Sequence, residues 1–264
     1  MRRRREHERR KNMKKIAVIT GATSGIGRAV TEVLAAGGYQ LAIAARNEEK
    51  LAEVSEDLRM KYNADVSYFV LDFRDRDAIS RVSESILETV GVPDVLVNNA
   101  GLARGLEPYA LTDPDDTLEM TETNIKGLFL MTRAFLPSML ARNTGHIINL
   151  GSTAGLYAYA GAAVYCATKA AVKTFSDGLR IDLMASDIKV TTIQPGLVET
   201  PFSEVRFHGD KARAAAVYAG IEALRPEDIA DVIDFVLSRP KRVVLTDVVI
   251  MANQQGTGFL SHKE

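Results

Sequence analysis

Apolar and polar positions alternate in blocks along the chain from Lys15 onward. Short apolar runs at Ile16–Thr20, Gln40–Ala45, Val66–Leu71, Val95–Val97, His146–Gly151, Ile188–Gln194 and Val243–Met251 read as seven strands. Amphipathic stretches separate them. They predict helices over 25–37, 47–62, 75–90, a long region near 114–142, then 162–185, 203–220 and 226–238. Strands that are apolar almost throughout, each followed by a helix, imply a parallel sheet covered on both faces. No Pro/Ser-rich linker, fixed-period repeat or low-complexity stretch interrupts the alternation. The expectation is one doubly wound α/β domain over 14–264, with its ligand beyond the carboxyl ends of the strands where their order reverses.

Composition adds exclusions. At 46% hydrophobic and 25% charged residues the chain is ordinary globular protein, and no apolar run reaches the ~20 residues of a membrane span. One cysteine, Cys166, excludes an internal disulfide framework and fits a reducing, cytoplasmic setting. Four scattered His give no zinc spacing, so no metal site is expected. Residues 1–15 hold six Arg and three Lys against two Glu, without apolar periodicity. Residues 1–13 are therefore expected to be a disordered basic extension. It reads either as an arm for an anionic partner or as a start placed upstream of Met13, and the second reading is preferred. Nucleic acid is not the expected partner.

The first strand runs into Thr20-Gly21-Ala22-Thr23-Ser24-Gly25-Ile26-Gly27. Glycines at 21, 25 and 27 allow positive φ and close approach of backbone to a pyrophosphate, with the next helix presenting its amides. A simple tight turn is the alternative; the flanking strand and helix favour a dinucleotide. An NAD site usually places a carboxylate at the end of the second strand. Here stand Ala44, Ala45, Arg46 and Asn47, with Lys50 one turn on. Arg46 suits a 2′-phosphate, so NADP(H) is expected, against the plainer reading of a solvated helix start. Asp72 and Phe73 are placed beside the adenine, and Asn98-Asn99-Ala100-Gly101 adds backbone around the cofactor.

Tyr165 and Lys169 are four apart on a predicted helix and share a face. A neighbouring ammonium is expected to lower the phenol pKa and make Tyr165 a usable acid/base. Ser152, at the end of strand five, can hold a substrate oxygen near Tyr165. Asn124 can hold a water that relays protons to Lys169. A lone Tyr-x-x-x-Lys is weak; beside a dinucleotide turn the set is much stronger.

TGATSGIG (20–27), NNAG (98–101), Asn124, Ser152, YCATK (165–169) and PGLVET (195–200) together resemble the short-chain dehydrogenase/reductase family over about 14–250. The resemblance implies a single Rossmann-like domain with a seven-stranded parallel sheet and an Asn124–Ser152–Tyr165–Lys169 tetrad. It also implies that Pro195, Gly196, Val198 and Thr200 line the nicotinamide, and that the chain forms a homotetramer or homodimer. NNAGLARGLEP (98–108), IKGLFLMTRAFLPSM (125–139), HIINLGSTAG (146–155) and PFSEVRFHGD (201–210) are similar to the NADP-dependent 3-hydroxy acid dehydrogenase subgroup, as is Asn253-Gln254. Pro201, Ala162, Ala163 and Arg104 depart from that pattern at the expected substrate rim.

A small acid as substrate needs a cationic clamp. Arg206 is the first candidate and Arg104 the second, with Tyr157, Tyr159, Phe202 and Phe207 as possible walls. His146, His208 and Cys166 are read as structural. The expected reaction passes hydride between NADP(H) and the carbon of serine, allo-threonine, 3-hydroxypropionate or 3-hydroxyisobutyrate, or its carbonyl form, with Tyr165 moving the proton. Alternatives are a reductase of sulfoacetaldehyde or a neutral ketone, and a non-catalytic NADP(H) sensor.

Overall fold

The computed structural model describes residues 14–258 and 260–262; the expected basic extension over 1–13 lies outside them. Seven parallel strands form one sheet: β1 (Ile16–Thr20), β2 (Gln40–Ala45), β3 (Val66–Val70), β4 (Val95–Asn98), β5 (Gly145–Leu150), β6 (Ile188–Pro195) and β7 (Asp247–Ile250). Their order is β3-β2-β1-β4-β5-β6-β7, so the chain reverses direction across the sheet between β1 and β4. A crevice opens at the carboxyl ends of these two strands.

The strand period of two explains the two cores. Ala17 and Ile19 of β1, with Leu41 and Ile43 of β2, pack under α1 (Gly25–Ala36) and α2 (Glu48–Tyr62), joined later in the chain by α9 (Pro226–Leu237). Ile16 and Val18 face the other way, with Leu96 of β4, onto Ile79 and Ile86 of α3 (Arg76–Thr89) and Met131 and Phe135 of α5 (Leu128–Arg142). Both faces of the central strands are therefore buried, as their continuous apolar runs require. At the edges, Tyr68 and Val70 of β3 and Val249 of β7 are exposed.

Three boundaries differ from the sequence expectation. The region 114–142 is not one helix. It is α4 (Pro114–Thr121), a π-helical turn over Glu122–Gly127, and α5. The wider turn sets Gly127 against Phe73, where a Cβ would lie 2.7 Å from the Phe73 carbonyl oxygen, and it carries Asn124. Past α6 (Ala163–Asp182), the stretch 203–220 divides into α7 (Phe202–Arg206) and α8 (Lys211–Tyr218). His208 and Gly209 take positive φ there, and Asp210 caps α8 through the amides of Ala212 and Arg213. Strand β7 begins at Asp247 rather than Val243, because Val243 closes a turn onto the Pro240 carbonyl.

Among the described residues no helix is long and apolar enough to cross a membrane.

Candidate active site

Thr20 joins the two strands that border the crevice. Its hydroxyl donates to the Val97 carbonyl and accepts from the amides of Asn99 and Ala100, both at 2.9 Å. Asn99 returns its side-chain amide to the carbonyls of Thr20 and Gly21. The turn after β1 is thereby fixed from two sides. Gly21 has φ +66° and Gly25 φ +50°, and a Cβ on Gly27 would lie 2.1 Å from the Gly21 oxygen. Only glycine fits at Gly27, and the turn is a backbone cradle at the start of α1.

This turn opens onto a cleft of about 400 Å³. Gly21, Thr23, Ser24, Gly25 and Ile26 line its floor, while Gly27 packs beneath it. Arg46, Asn47, Lys50, Asp72 and Phe73 line one end. Asn47 also caps α2 by accepting from Lys50 N at 2.8 Å. Asn99, Ala100 and Gly101 form a wall, and Pro195, Gly196, Val198 and Thr200 form the wall opposite. Ser152, Tyr159, Tyr165, Lys169, Phe202 and Arg206 lie at the far end. The residues fit a dinucleotide: a glycine cradle, a basic and amide-bearing end without a carboxylate at the end of β2, and a polar far end.

Around Tyr165 the sequence expectations meet one correction. Lys169 donates to the Leu150 carbonyl at 2.8 Å, and its Nζ is 5.9 Å from the centroid of the Tyr165 ring. Burial dominates and pushes the Tyr165 pKa up to about 12, with Tyr159 adding to the rise. Opposing it are the Arg206 cation and a hydrogen bond with Ser152. Burial also pulls the Lys169 ammonium down to about 8. Arg206 is a cation that favours the Tyr165 phenolate in this structure. Ser152 accepts from the Ala154 amide at 3.1 Å, which fixes its hydroxyl at the mouth of β5.

Asn124 stands behind the cleft wall rather than in it. Its amide donates to the Leu102 carbonyl and to Thr168 Oγ1, and its oxygen accepts from Leu102 N at 2.8 Å. A Cβ on Gly101 would lie 3.1 Å from Asn124 Oδ1 and 3.5 Å from Lys169 Nζ, so both groups converge on Gly101.

Arg206 and Arg104 part ways. Arg206 is 9% exposed, donates through Nη2 to Tyr159 Oη at 3.0 Å, and keeps a buried Nε without a hydrogen-bond partner. Arg104 does not line the cleft. It donates to Glu119 at 2.7 Å and to the Val205 carbonyl, so it is a brace rather than a second clamp. Of the proposed aromatic walls, Tyr159 and Phe202 line the cleft. Tyr157 is 43% exposed, and Phe207 is buried under Arg213. His146 bonds Thr191, and His208 bonds Asp116.

Sequence reasoning missed three contributors. Tyr218 of α8 lines the cleft, and its hydroxyl meets Ser203 Oγ at 2.7 Å and the Val198 carbonyl at 3.1 Å. Gln255 is buried and accepts from Leu197 N at 2.9 Å, bracing the loop after β6. Gly258 brings the C-terminal segment to the cleft wall. None of these carries a motif; each is placed by the path of the chain and not by a local pattern.

Comparison with known proteins agrees with this geometry. The short chain dehydrogenase family model matches residues 15–211. The chain is 42% identical over 243 residues to the NADP-dependent 3-hydroxy acid dehydrogenase of Schizosaccharomyces pombe, covering 92% of this chain and 94% of that protein. It is likewise 42% identical over 252 residues to the NADP-dependent 3-hydroxy acid dehydrogenase of Escherichia coli strain K12, covering 94% and 100%. The solved closed form of serine dehydrogenase complexed with NADP+ superposes with a TM-score of 0.88 at 41% identity, over 94% of this chain and 99% of that one. This chain belongs to the short chain dehydrogenase family of oxidoreductases.

Proposed function

We propose that this protein is an NADP-dependent oxidoreductase that interconverts a small 3-hydroxy acid and its carbonyl form. The observation that carries the substrate class is Arg206. A guanidinium is an expensive group to bury, and a buried donor without a partner costs about 1–3 kcal/mol. Arg206 holds such a donor at the cleft, within reach of Tyr165. A substrate carboxylate accepting from Nε would satisfy it. Relatives named as 3-hydroxy acid dehydrogenases and serine dehydrogenase support the same class.

The roles follow from position. The glycine turn and the helix start behind it hold the pyrophosphate, and Arg46 meets the 2′-phosphate. Asp72 and Phe73 flank the adenine, and Pro195 to Thr200 border the nicotinamide. When bound, NADP(H) supplies or accepts a hydride. Tyr165 Oη gives a proton to the carbonyl oxygen in reduction and takes it from the hydroxyl in oxidation. Ser152 holds that oxygen against Tyr165. Lys169 binds ribose hydroxyls and, with Asn124 and a water, connects the tyrosine to solvent. Arg206 fixes the carboxylate and thereby the carbon that reacts.

Residues 14–264 act as one domain in this reading, working in the cytoplasm as a homotetramer. Exposed Ile181 of α6, Met184 just past its end, and Phe235 on α9 are apolar groups suited to contacts between copies.

The test is turnover of L-serine, L-allo-threonine, 3-hydroxypropionate, 3-hydroxyisobutyrate, isethionate and a neutral secondary alcohol, with NADP+ and with NAD+. Turnover of the hydroxy acids with NADP+ preferred supports the proposal. Activity on the neutral alcohol alone removes the clamp, and activity on isethionate alone transfers it to a sulfonate. Silence on all six with retained NADPH binding favours a sensor.

A further inference from the structure

Glu119 lies on α4 between the two ends of the cleft. Its Oε2 accepts from Arg104 Nε at 2.7 Å. Its Oε1 is 3.5 Å from Arg46 Nη1 and 3.5 Å from Arg74 Nη1. The carboxylate is 15% exposed, whereas Arg46 is 51% exposed. Three guanidiniums thus share one largely buried carboxylate.

Two of the three belong to the basic end of the cleft. Arg46 follows β2 and lines the cleft, and Arg74 is forked onto Asp72, which lines it too. The third points toward the opposite end. Arg104 donates through Nη1 to the Val205 carbonyl, and the neighbouring Gly105 amide donates to the Arg206 carbonyl at 2.9 Å. Helix α7, which carries Arg206, therefore hangs on residues 104–105, and Arg104 is held by Glu119. Asp116, three residues earlier on α4, adds a bond to His208 at 3.1 Å just past that same end of α7.

We propose that Glu119 is a positioning residue that couples occupation of the 2′-phosphate subsite to the order of the substrate rim at residues 202–208. A phosphate monoester carries close to two negative charges at neutral pH. Placed before Arg46, it draws that guanidinium away from Glu119. The carboxylate then loses a cation that pulls Oε1 away from Arg104. The Arg104–Glu119 pair tightens, and with it the hold on Val205 and on the backbone of Arg206. A cofactor without the 2′-phosphate leaves the carboxylate shared three ways. Coupling of this kind is reciprocal, so an ordered rim also favours the phosphate. The benefit to catalysis rests on Arg206 as the substrate clamp; the coupling itself needs no substrate.

Amide hydrogen exchange over 202–208 tests it, with adenosine 2′,5′-bisphosphate and adenosine 5′-monophosphate at saturation on the full chain. In the parent protein the bisphosphate slows exchange about fivefold more than the monophosphate does. In Glu119→Gln the two ligands act alike. Arg104→Lys keeps the charge but loses the fork that spans Glu119 and Val205, and it also abolishes the difference. Equal slowing by both ligands in the parent overturns the proposal. So does a ligand difference that survives in either variant. Steady-state kinetics supply the second readout: with NADP+, Glu119→Gln raises KM for the hydroxy acid about fivefold at nearly unchanged kcat. Unchanged KM also counts against the coupling. Failure of the clamp reading is separate, because it shows as normal acid turnover in Arg206→Ala while the exchange result stands.

Discussion

The guanidinium carbon of Arg206 lies 5.1 Å from the centroid of the Tyr165 ring. The same side chain bonds Tyr159, and Phe202 packs 5.7 Å from Tyr165, centroid to centroid. The group proposed to hold the substrate's charge thus faces the group proposed to move its proton. The two functions share one water-poor corner of the cleft, where a charge-assisted bond is strong.

Replacement of Arg206 by Ala is expected to lower kcat/KM on hydroxy acids by roughly 10- to 100-fold, the value of a charge-assisted hydrogen bond of about 1.5–3 kcal/mol. Turnover of a neutral ketone stays within about threefold, because it offers no carboxylate. Arg206→Lys keeps charge but loses the fork, and it falls between the two. Equal losses on acids and ketones would assign Arg206 to packing instead.

Tyr165 is expected to remain a neutral phenol in the cofactor-free protein across the physiological range, since burial lifts its pKa to about 12. Spectrophotometric titration of the parent minus Tyr165→Phe reads this group among the eight tyrosines. No phenolate signal is expected below about pH 10, the ordinary tyrosine value. A titration near neutrality would show that Lys169 governs the phenol after all. Tyr165→Phe itself is expected to lose about 10²- to 10⁴-fold in kcat, the usual worth of a positioned acid/base.

Much of this site was legible because its residues sit in short local patterns. Gly21, Gly25 and Gly27 mark the turn by spacing alone, and Tyr165 and Lys169 share a face at helical spacing. Arg46 was found because strand β2 has a predictable end. Arg206 required a chemical argument about the substrate, since nothing in its spacing distinguishes it from Arg104. The two differ only in three dimensions: Glu119 captures one and leaves the other with a free donor. Tyr218 at the end of α8 and Gly258 reach the cleft, and Gln255 braces the loop after β6, along chain paths that no local periodicity encodes. The π-helical turn at 122–127 was hidden for a related reason. It sets Gly127 against Phe73, a contact between residues 54 positions apart.

Cofactor choice is expected to depend on Arg46, and affinity for either dinucleotide on Arg74. Arg46→Ala lowers affinity for NADP+ about 10- to 100-fold while leaving NAD+ nearly unchanged. Arg74→Ala frees Asp72 from its guanidinium fork, so it weakens binding of both dinucleotides. Binding constants for the two cofactors in each variant check this. A parallel loss of NAD+ affinity in Arg46→Ala would mean that Arg46 supports the fold of the site and does not read the phosphate.

Acid stability is expected to turn on His146. Its Nε2 is 2.8 Å from Thr191 Oγ1, and that hydroxyl donates to the Leu245 carbonyl, so Nε2 must carry the hydrogen and Nδ1 the lone pair. Protonation would add a charge in a buried strand, in register with Lys189 of β6. Burial, aided by Lys189, pulls the pKa down from 6.5 to about 3. The unfolded chain therefore binds a proton between pH 6.5 and 3 that the folded chain refuses. The depressed pKa makes the stabilisation complete above pH 6.5 and progressively lost as pH falls toward 3. From pH 7 to pH 5 this one group removes roughly 2 kcal/mol. Urea unfolding of the parent and of His146→Gln at both pH values isolates it, because glutamine still donates to Thr191 and does not titrate. The variant is expected to lose about 2 kcal/mol less than the parent over this interval. Equal losses would show that His146 accepts its proton in the folded state and that the strand relaxes around it.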